Sequence, residues 1–326
     1  MHSILKSLLA KASNGRAATR NEVEAAIPLL RRELPDVMAV ARIAASASGV
    51  KPFVCAIVNA KSGNCSEDCA FCAQSSRHRG DALPTPLADV DSLLERAEVY
   101  AAAGMHRMSM VTAGKGPSNA ILDRVCEAAA RIRERVGLVL CASLGIIDAG
   151  QARALRDAGI ERYHHNLELS RAMFAAACST HTYDERLATV ANAKAAGMKV
   201  CSGGIFGCGE SWADRLDFSE DLAGADPDAI PVNILIPVPG TPYADVRPIE
   251  PWEALGIVAV FRLMHPGRSV IMCAGRKSSL GDFGNWVFSA GANGIMAGDY
   301  LTRKGNDRDE DARFFDIIGI DREDRA

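Results

Sequence analysis

Apolar segments of strand length alternate with amphipathic segments of helix length from residue 53 onward. The amphipathic segments repeat their apolar residues every three or four positions, as a helix with one buried face does. Several of them run into a glycine just before the next strand (Gly104, Gly159, Gly197), a usual helix end. The predicted strands are Phe53–Asn59, His106–Thr112, Gly137–Ser143, Glu161–Asn166, Lys199–Ile205, Ala229–Ile236, Ser269–Ala274 and Asn293–Ala297. The predicted helices include Leu87–Ala103, Ala120–Val136, Ala149–Ala158, Asp184–Ala196 and Pro251–Met264.

Eight strands joined by helical crossovers predict a parallel (β/α)8 barrel of the TIM type, an α/β fold. Residues 1–50 show no strand pattern and are predicted to form an N-terminal helical extension over the bottom or side of the barrel. Residues 51–326 are predicted to form the barrel itself, without a linker or low-complexity stretch.

Net charge, apolar runs and cysteine content exclude some classes of protein function. The net charge is -3 with no basic cluster, so nucleic acid is not an expected partner. No apolar run approaches the ~20 residues that span a bilayer, so no membrane is expected either. Ten dispersed cysteines are typical of reduced thiols in a cytoplasm. The first acidic residue is Glu22, which leaves a transit peptide as the alternative to an ordinary N-terminal helix.

Three cysteines, Cys65, Cys69 and Cys72, lie in one short polar segment with the spacing C-x3-C-x2-C. Cysteine thiolates hold iron–sulfur clusters, and a four-iron cluster with three protein ligands has one iron open to another molecule. Structural metal sites normally close their coordination shell, so an open iron indicates catalysis. The alternatives are three buried core cysteines or a zinc site completed by His78.

Four further cysteines fall on the first, third, fifth and seventh predicted strands. Barrel interiors are filled in layers by side chains from alternate strands, so these thiols are predicted to converge on the barrel axis. A buried second metal cluster is one interpretation, and four small core residues are the other. The four are Cys55, Cys141, Cys201 and Cys273. Of the rest, Cys126 and Cys178 are predicted to pack in helices, and Cys208 lies in a glycine-rich turn where it could also touch a cluster.

The cysteine loop matches radical S-adenosylmethionine (SAM) enzymes, and a larger set of segments resembles the biotin synthase family within them. The likeness runs in order from about residue 50 to 320. It rests on Asn59–Cys65, Cys69–Arg77, His165–Glu168, Val200–Ile205, Val232-Asn233, Pro239–Pro242, Ala274–Arg276 and Tyr300–Thr302.

The resemblance implies an enzyme, a sulfurtransferase that converts dethiobiotin to biotin by placing sulfur between two unactivated carbons. It implies a [4Fe–4S] cluster on Cys65, Cys69 and Cys72 whose open iron is chelated by SAM. One electron from flavodoxin or ferredoxin would cleave SAM to methionine and a 5′-deoxyadenosyl radical, twice per biotin. It also implies a homodimer, and an auxiliary cluster whose bridging sulfide is the sulfur donor.

The family's usual auxiliary cluster is [2Fe–2S], held by three cysteines and one arginine. Two of those cysteines match Cys141 and Cys201, but Ser109 and Ile271 stand where the third cysteine and the arginine are usual. Our hypothesis is that ligands have moved to Cys55 and Cys273 and that the cluster is an altered type, such as a four-iron cluster with an extra sulfide.

Family roles carry over to several residues at strand ends. Glu168 and Asn166 match residues that bind the ribose of SAM, with a capping carboxylate as the alternative for Glu168. Phe71 suits stacking near adenine or packing in the core. Thr112, Gly203 and Ile205 are further candidates for SAM contacts, although the glycine could serve only the turn.

Dethiobiotin offers a ureido ring and a carboxylate. An asparagine amide supplies the paired donor and acceptor that a ureido group needs, so Asn233 is predicted to bind it with help from Asn166. Thr302 and Arg303 are predicted to bind the carboxylate, where the family usually has two threonines. His164 and His165 lie on the fourth strand, and either could face the barrel or be structural.

Two other functions remain open at this stage. One is another radical SAM barrel, such as the maturase of iron-only hydrogenase. The other belongs to a different class, a zinc-binding scaffold without redox chemistry, which would be colourless because zinc is d10.

Overall fold

A computed structural model of the chain describes residues 2–301, 305, 310, 311 and 313. Within them, nine parallel strands form one sheet in the order β5-β4-β3-β2-β1-β9-β8-β7-β6. A further pairing of β5 with β7 closes this sheet, so the predicted barrel is confirmed. The strands are β1 Phe53–Lys61, β2 Arg107–Thr112, β3 Val139–Ser143, β4 Arg162–His164, β5 Lys199–Cys201, β6 Gly204–Phe206, β7 Ala229–Ile234, β8 Ser269–Met272 and β9 Gly294–Met296.

The nine strands occupy eight positions around the barrel, because β5 and β6 are two halves of the predicted fifth strand. Ser202 and Gly203 interrupt it. At Gly203 a Cβ atom would lie 2.1 Å from the carbonyl oxygen of Pro231, so the backbones approach more closely than a side chain allows. The prediction of one continuous strand was therefore wrong at this point. The predicted fourth strand is also shorter than expected, since only Arg162–His164 pairs with its neighbours.

Ten α-helices are described, and those following the strands surround the barrel. They are α1 Ser3–Ala12, α2 Arg20–Ala26, α3 Leu34–Ala47, α4 Val90–Ala102, α5 Asn119–Arg135, α6 Ala149–Ala158, α7 Arg171–Ala177, α8 Tyr183–Ala195, α9 Trp212–Ala225 and α10 Pro251–Met264. Short side chains at the N-caps start several of them; Asp148 and Gln151, for example, form a capping box on α6. The glycine stop is confirmed at Gly159, where φ is 106°.

The first three helices pack on the flank of the barrel beside α10. The N–H of Ala18 donates to the carbonyl of Leu263 at 2.9 Å, and Leu30 packs against Gly256 within α10. The buried faces of α1 and α3 are apolar, as the helical extension requires. Among the described helices, none combines the length and apolarity that crossing a membrane demands.

Candidate active site

A cavity of about 420 Å³ opens at the carboxyl ends of the strands. Cys65, Cys69 and Cys72 line it from the loop that follows β1, and three of the barrel cysteines line it from the strands. Some of these cysteines are more than a hundred residues apart in the sequence, yet they line the same cavity. Active sites of such barrels lie at this end of the strands.

Backbone and side-chain hydrogen bonds fix the cysteine loop. The N–H of Cys65 donates to the carbonyl of Gln74 at 3.0 Å, and the N–H of Ser76 donates back to Cys65 at 2.8 Å. The side-chain oxygen of Gln74 accepts from the N–H of Gly63 at 3.0 Å and from the hydroxyl of Ser62 at 3.0 Å. These hydrogen bonds hold the backbone of the loop, and with it the three thiols, in a fixed position.

His78 does not join the thiols. Its Nε2 lies 3.2 Å from the carbonyl oxygen of Asp68 and 3.1 Å from that of Cys69, so the ring bonds to backbone. The alternative of a zinc site completed by His78 is not supported by this arrangement.

Cys178 corrects one sequence prediction. It is not an ordinary helix-packing residue but caps the end of α7, where its Sγ lies 3.7 Å from Sγ of Cys69. The hydrogen bond from the Cys69 thiol is the main cause that lowers the pKa of Cys178 to about 6, and the same contact raises the pKa of Cys69. His181 lies beside Cys178, with its Nδ1 3.3 Å from that sulfur.

The strand register sets three barrel cysteines opposite nitrogen-bearing side chains. Cys55 pairs with Arg107, Cys141 with Arg162, and Cys201 with His164. Register partners point to the same face of a sheet, so thiols and basic side chains share the barrel interior. Cys273 follows β8 and lies in one cluster with Cys55 and Cys201.

Three of the four barrel cysteines, Cys55, Cys201 and Cys273, lie in one buried group, and the convergence of all four on one cluster stays a prediction. All four are buried, and beyond the effect of burial, Cys55 and Cys201 raise the pKa values of both Cys141 and Cys273. Burial raises the pKa of Cys55, whereas the charges of Arg107 and Arg162 oppose that rise. Cys55, Cys201 and Cys273 line the cavity, and Cys141 does not.

This chamber suits an anionic inorganic cluster. Nε and one terminal nitrogen of both Arg107 and Arg162 are buried and have no hydrogen-bond partner within the described part of the chain. Buried donors normally find acceptors, and cluster sulfides would provide them. The family's two replaced positions are also here: Ser109 pairs with Cys141 and has a buried, unpartnered hydroxyl, and Ile271 lines the cavity.

Glu168 ends the turn after β4 in a left-handed conformation, with φ 72°. Its N–H donates to the carbonyl of Gly203 at 3.1 Å, and its carbonyl accepts from Ile205 at 2.8 Å. Asn166 donates to its carboxylate at 3.3 Å, and Arg186 lies 3.8 Å away. Burial raises the pKa of Glu168, opposed by Arg186 and Asn166. The carboxylate lines the cavity rather than capping a helix.

The other predicted SAM contacts divide into two groups. Phe71, Thr112 and Ile205 line the cavity beside the cysteine loop. Gly203 does not, because its role here is the close approach to Pro231 and its N–H donates to Asn166 Oδ1 at 3.2 Å. A direct contact of Gly203 with SAM stays a prediction.

Asn233 also lines the cavity, between two strands that it joins. Its amide NH2 donates to the carbonyl of Gly204 at 3.1 Å, and its oxygen accepts from the N–H of Ala274 at 3.1 Å. One amide hydrogen and one oxygen lone pair stay available for a ligand. The predicted carboxylate ligands Thr302 and Arg303 lie outside the described residues.

His164, the last residue of β4, and His165, which follows it, both line the cavity, although successive strand residues would point to opposite faces. The strand ends at His164, so the chain turns there. Burial, with help from Arg162 and Arg107, lowers the pKa of His164 to about 3; burial also lowers the pKa of His165. Both imidazoles are therefore neutral at physiological pH.

Three remaining residues do not line the cavity. Cys208 is buried but does not line the cavity, and Cys126 bonds on α5 to the carbonyl of Ala154. Arg276 is fully buried and forms an ion pair with Asp311 at 2.5 Å.

Comparisons with known proteins agree with this geometry. Residues 60–222 match the Radical SAM superfamily, and residues 231–321 match the Biotin and Thiamin Synthesis associated domain. Biotin synthase of Nitratidesulfovibrio vulgaris strain DP4 is 46% identical over 303 residues, which are 93% of this chain and 84% of that protein. Biotin synthase of Heliobacterium modesticaldum is 43% identical over 98% of both chains.

Solved structures support the fold alone, since their identities are low. Methylornithine synthase superposes with a TM-score of 0.81 at 21% identity, over 96% of both chains. The FeFe-hydrogenase maturase from Carboxydothermus hydrogenoformans gives a TM-score of 0.78 at 16% identity, over 97% of this chain and 78% of that one.

Proposed function

The chain belongs to the biotin synthase family of radical SAM enzymes, and we propose that it converts dethiobiotin to biotin with the residues described above. A [4Fe–4S] cluster and SAM follow from the family. The ligands of the clusters, the contacts to substrate and the source of sulfur are our proposals.

One observation carries the proposal: two groups of thiols face a single cavity from different elements. Cys65, Cys69 and Cys72 would hold the [4Fe–4S] cluster, and the four barrel cysteines would hold an auxiliary iron–sulfur cluster. When bound, the two clusters and SAM supply the electron, the abstracting radical and the sulfide of the reaction. A substrate between the two groups of thiols meets both reagents without leaving the barrel.

The strand ends would orient SAM. The Glu168 carboxylate can accept from two ribose hydroxyls, and Asn166 holds it in place from the side. Phe71, Thr112 and Ile205 give this part of the cavity apolar contact area beside the cysteine loop. A primary carbon radical attacks most C–H bonds, so it must be kept away from other reactants. The barrel wall around the cavity would provide this protection.

Asn233 would orient dethiobiotin through its ureido ring. The amide is fixed by Gly204 and Ala274, so its free donor and acceptor point in set directions. Asn166 offers a second amide across the cavity, and Thr302 and Arg303 would bind the carboxylate.

The auxiliary cluster would donate the sulfur. Dethiobiotin would lose one hydrogen atom from each of two carbons to two 5′-deoxyadenosyl radicals and gain one sulfur at the sulfide level, and the auxiliary cluster would take up the two electrons released. Arg107 and Arg162 would hold the anionic cluster by hydrogen bonds, and Cys55 and Cys273 would complete its ligands with Cys141 and Cys201. Flavodoxin or ferredoxin as the electron donor and a homodimeric assembly belong to the same proposal.

The test is the origin of the sulfur atom. The chain is reconstituted anaerobically with iron and 34S-sulfide, freed of excess sulfide, and given SAM, dethiobiotin and a reductant. Biotin that carries 34S supports the proposal. Unlabelled biotin would rule out the auxiliary cluster as the sulfur donor. Formation of 5′-deoxyadenosine without any biotin would indicate a different radical SAM reaction.

A further inference from the structure

Three side chains that can bind a metal meet beside the cysteine loop, and two of them, Cys69 and His181, also line the cavity. Sγ of Cys69, Sγ of Cys178 and a ring nitrogen of His181 all lie within 4.8 Å of one another, and all three residues are buried. Cys178 and His181 come from the segment between α7 and α8, whereas Cys69 comes from the loop after β1. It is the one such group found within the described residues.

The spacing fits one tetrahedral cation. Zinc binds thiolate at ~2.3 Å and imidazole at ~2.0–2.1 Å, so tetrahedral geometry separates two sulfurs by about 3.8 Å and a sulfur from a nitrogen by about 3.6 Å. The two Sγ atoms lie 3.7 Å apart, and Cys178 Sγ lies 3.8 Å from His181 Nε2. In the third pair, Sγ of Cys69 and a ring nitrogen of His181 lie within 4.8 Å of each other, and side-chain rotation can adjust that distance.

A carboxylate orients the histidine. Oε2 of Glu67 lies 2.7 Å from Nδ1 of His181, and both side chains are buried. A metal-binding histidine typically donates its other ring nitrogen to a carboxylate, which leaves Nε2 for the cation. Asp68 then braces the same segment, since its carboxylate accepts from the N–H groups of Ser179 at 2.9 Å and Thr180 at 3.2 Å.

We propose that Cys69, Cys178 and His181 form a mononuclear site for a thiophilic divalent cation of the zinc class. The cation binds while the loop holds no iron–sulfur cluster, and it binds both cysteines as thiolates, so a cysteine that is still protonated loses its proton on binding. Cys69 belongs to both sites, so the mononuclear and cluster states exclude each other. Zinc held here delays cluster assembly, and iron must displace it.

Cobalt(II) is the first probe, because thiolate-to-cobalt charge transfer reports cysteine ligands directly. Anaerobic apoprotein is titrated, and the Cys178→Ser and His181→Gln variants are compared with Cys65→Ala. Loss of a second-sphere or ligand group commonly costs 10–100-fold in affinity. We expect the first two variants to bind cobalt at least ~10-fold more weakly than wild type, and Cys65→Ala to bind it normally. Equal loss in Cys65→Ala would place the cation in the cysteine loop alone and overturn the proposal, as would absence of thiolate bands in wild type.

A second measurement does not depend on the stability of one variant. Iron and sulfide are added to apoprotein with and without one equivalent of zinc, and growth of cluster absorption is followed. Zinc should slow assembly in wild type and leave the Cys178→Ser and His181→Gln rates unchanged relative to their own zinc-free controls. Zinc that slows all proteins equally contradicts the shared site. The proposed enzyme function is judged separately, by 5′-deoxyadenosine formation in zinc-free wild type.

Discussion

The side chain of Asn166 accepts a hydrogen bond from the backbone N–H of Gly203 at 3.2 Å, and so ties the end of β4 to the break between β5 and β6. This contact is possible because Gly203 lies so close to Pro231 that no side chain fits between them. The position of a cavity residue therefore depends on a glycine that does not itself line the cavity.

Gly203→Ala is expected to destabilise the barrel. The added Cβ would meet the Pro231 backbone at 2.1 Å, and forced contacts in a packed core cost about 1–3 kcal/mol or more. The midpoint of thermal unfolding should fall by several degrees. Gly224→Ala is the matched control: it lies in α9 with no atom within 4 Å of the new Cβ, and should be neutral or stabilise by up to ~1 kcal/mol. Equal midpoints for both variants would contradict the packing argument.

Cys55→Ala and Cys273→Ala are each expected to reduce the iron and sulfide of the auxiliary cluster. Both thiols line the cavity and share one cluster of side chains with Cys201. The [4Fe–4S] cluster on the separate loop should persist, and with it the ability to cleave SAM. Iron and acid-labile sulfide analysis with Mössbauer spectra provides the measurement, and Cys126→Ala on α5 provides the control. If the iron and sulfide contents of both barrel variants were unchanged, the proposal that Cys55 and Cys273 are cluster ligands would be wrong.

Arg162→Leu is expected to lower the reduction potential of the auxiliary cluster. Reduction adds negative charge, and a neighbouring cation favours it, so loss of the cation makes reduction harder. One charge at a buried site interacts by about 2–4 kcal/mol, which corresponds to a one-electron shift on the order of 90–170 mV. Arg162→Lys keeps the charge and should shift the potential less. Anaerobic redox titration followed by electron paramagnetic resonance measures it, and equal shifts in both variants would indicate packing rather than charge.

Asn233→Ala is expected to raise KM for dethiobiotin about 10-fold or more, since a lost polar contact in a buried site costs about 1–3 kcal/mol. It also frees the Gly204 carbonyl and the Ala274 N–H, so some stability is lost. Asn192→Ala separates the two effects, because Asn192 bonds to the Ile147 carbonyl at 2.9 Å on α8. It should lose stability without a change in KM. An unchanged KM for Asn233→Ala would argue against the ureido contact.

The sequence predicted the barrel well because its strongest signals are local. Glycine at the helix ends and apolar strand segments are set by neighbouring residues, as at Gly159. The inward direction of three barrel cysteines could also be predicted, since Cys55, Cys141 and Cys201 lie within strands, whose side chains alternate between the two faces. The break at Gly203 could not, because it depends on the approach of Pro231 from the next strand.

Long-range contacts explain what the sequence did not reveal in the site. Cys178 and Cys69 are 109 positions apart, and only the packing of the α7 end against the cysteine loop brings them together. Arg107 and Arg162 occur singly in predicted strands, where a charge normally indicates an exposed face. A signal was present nonetheless: both arginines fall within strands that neighbour cysteine-bearing ones.

The pairing of thiols with basic side chains has a consequence for how the strands find their partners. If the register of β2 shifted by one residue, the Arg107 side chain would turn from the barrel interior to the outer face of the sheet. Its charge would then be buried against the apolar helices. The same penalty applies to Arg162 on β4. A shifted register would cost less free energy in strands with only aliphatic side chains. The charged lining therefore also favours the correct strand register during folding.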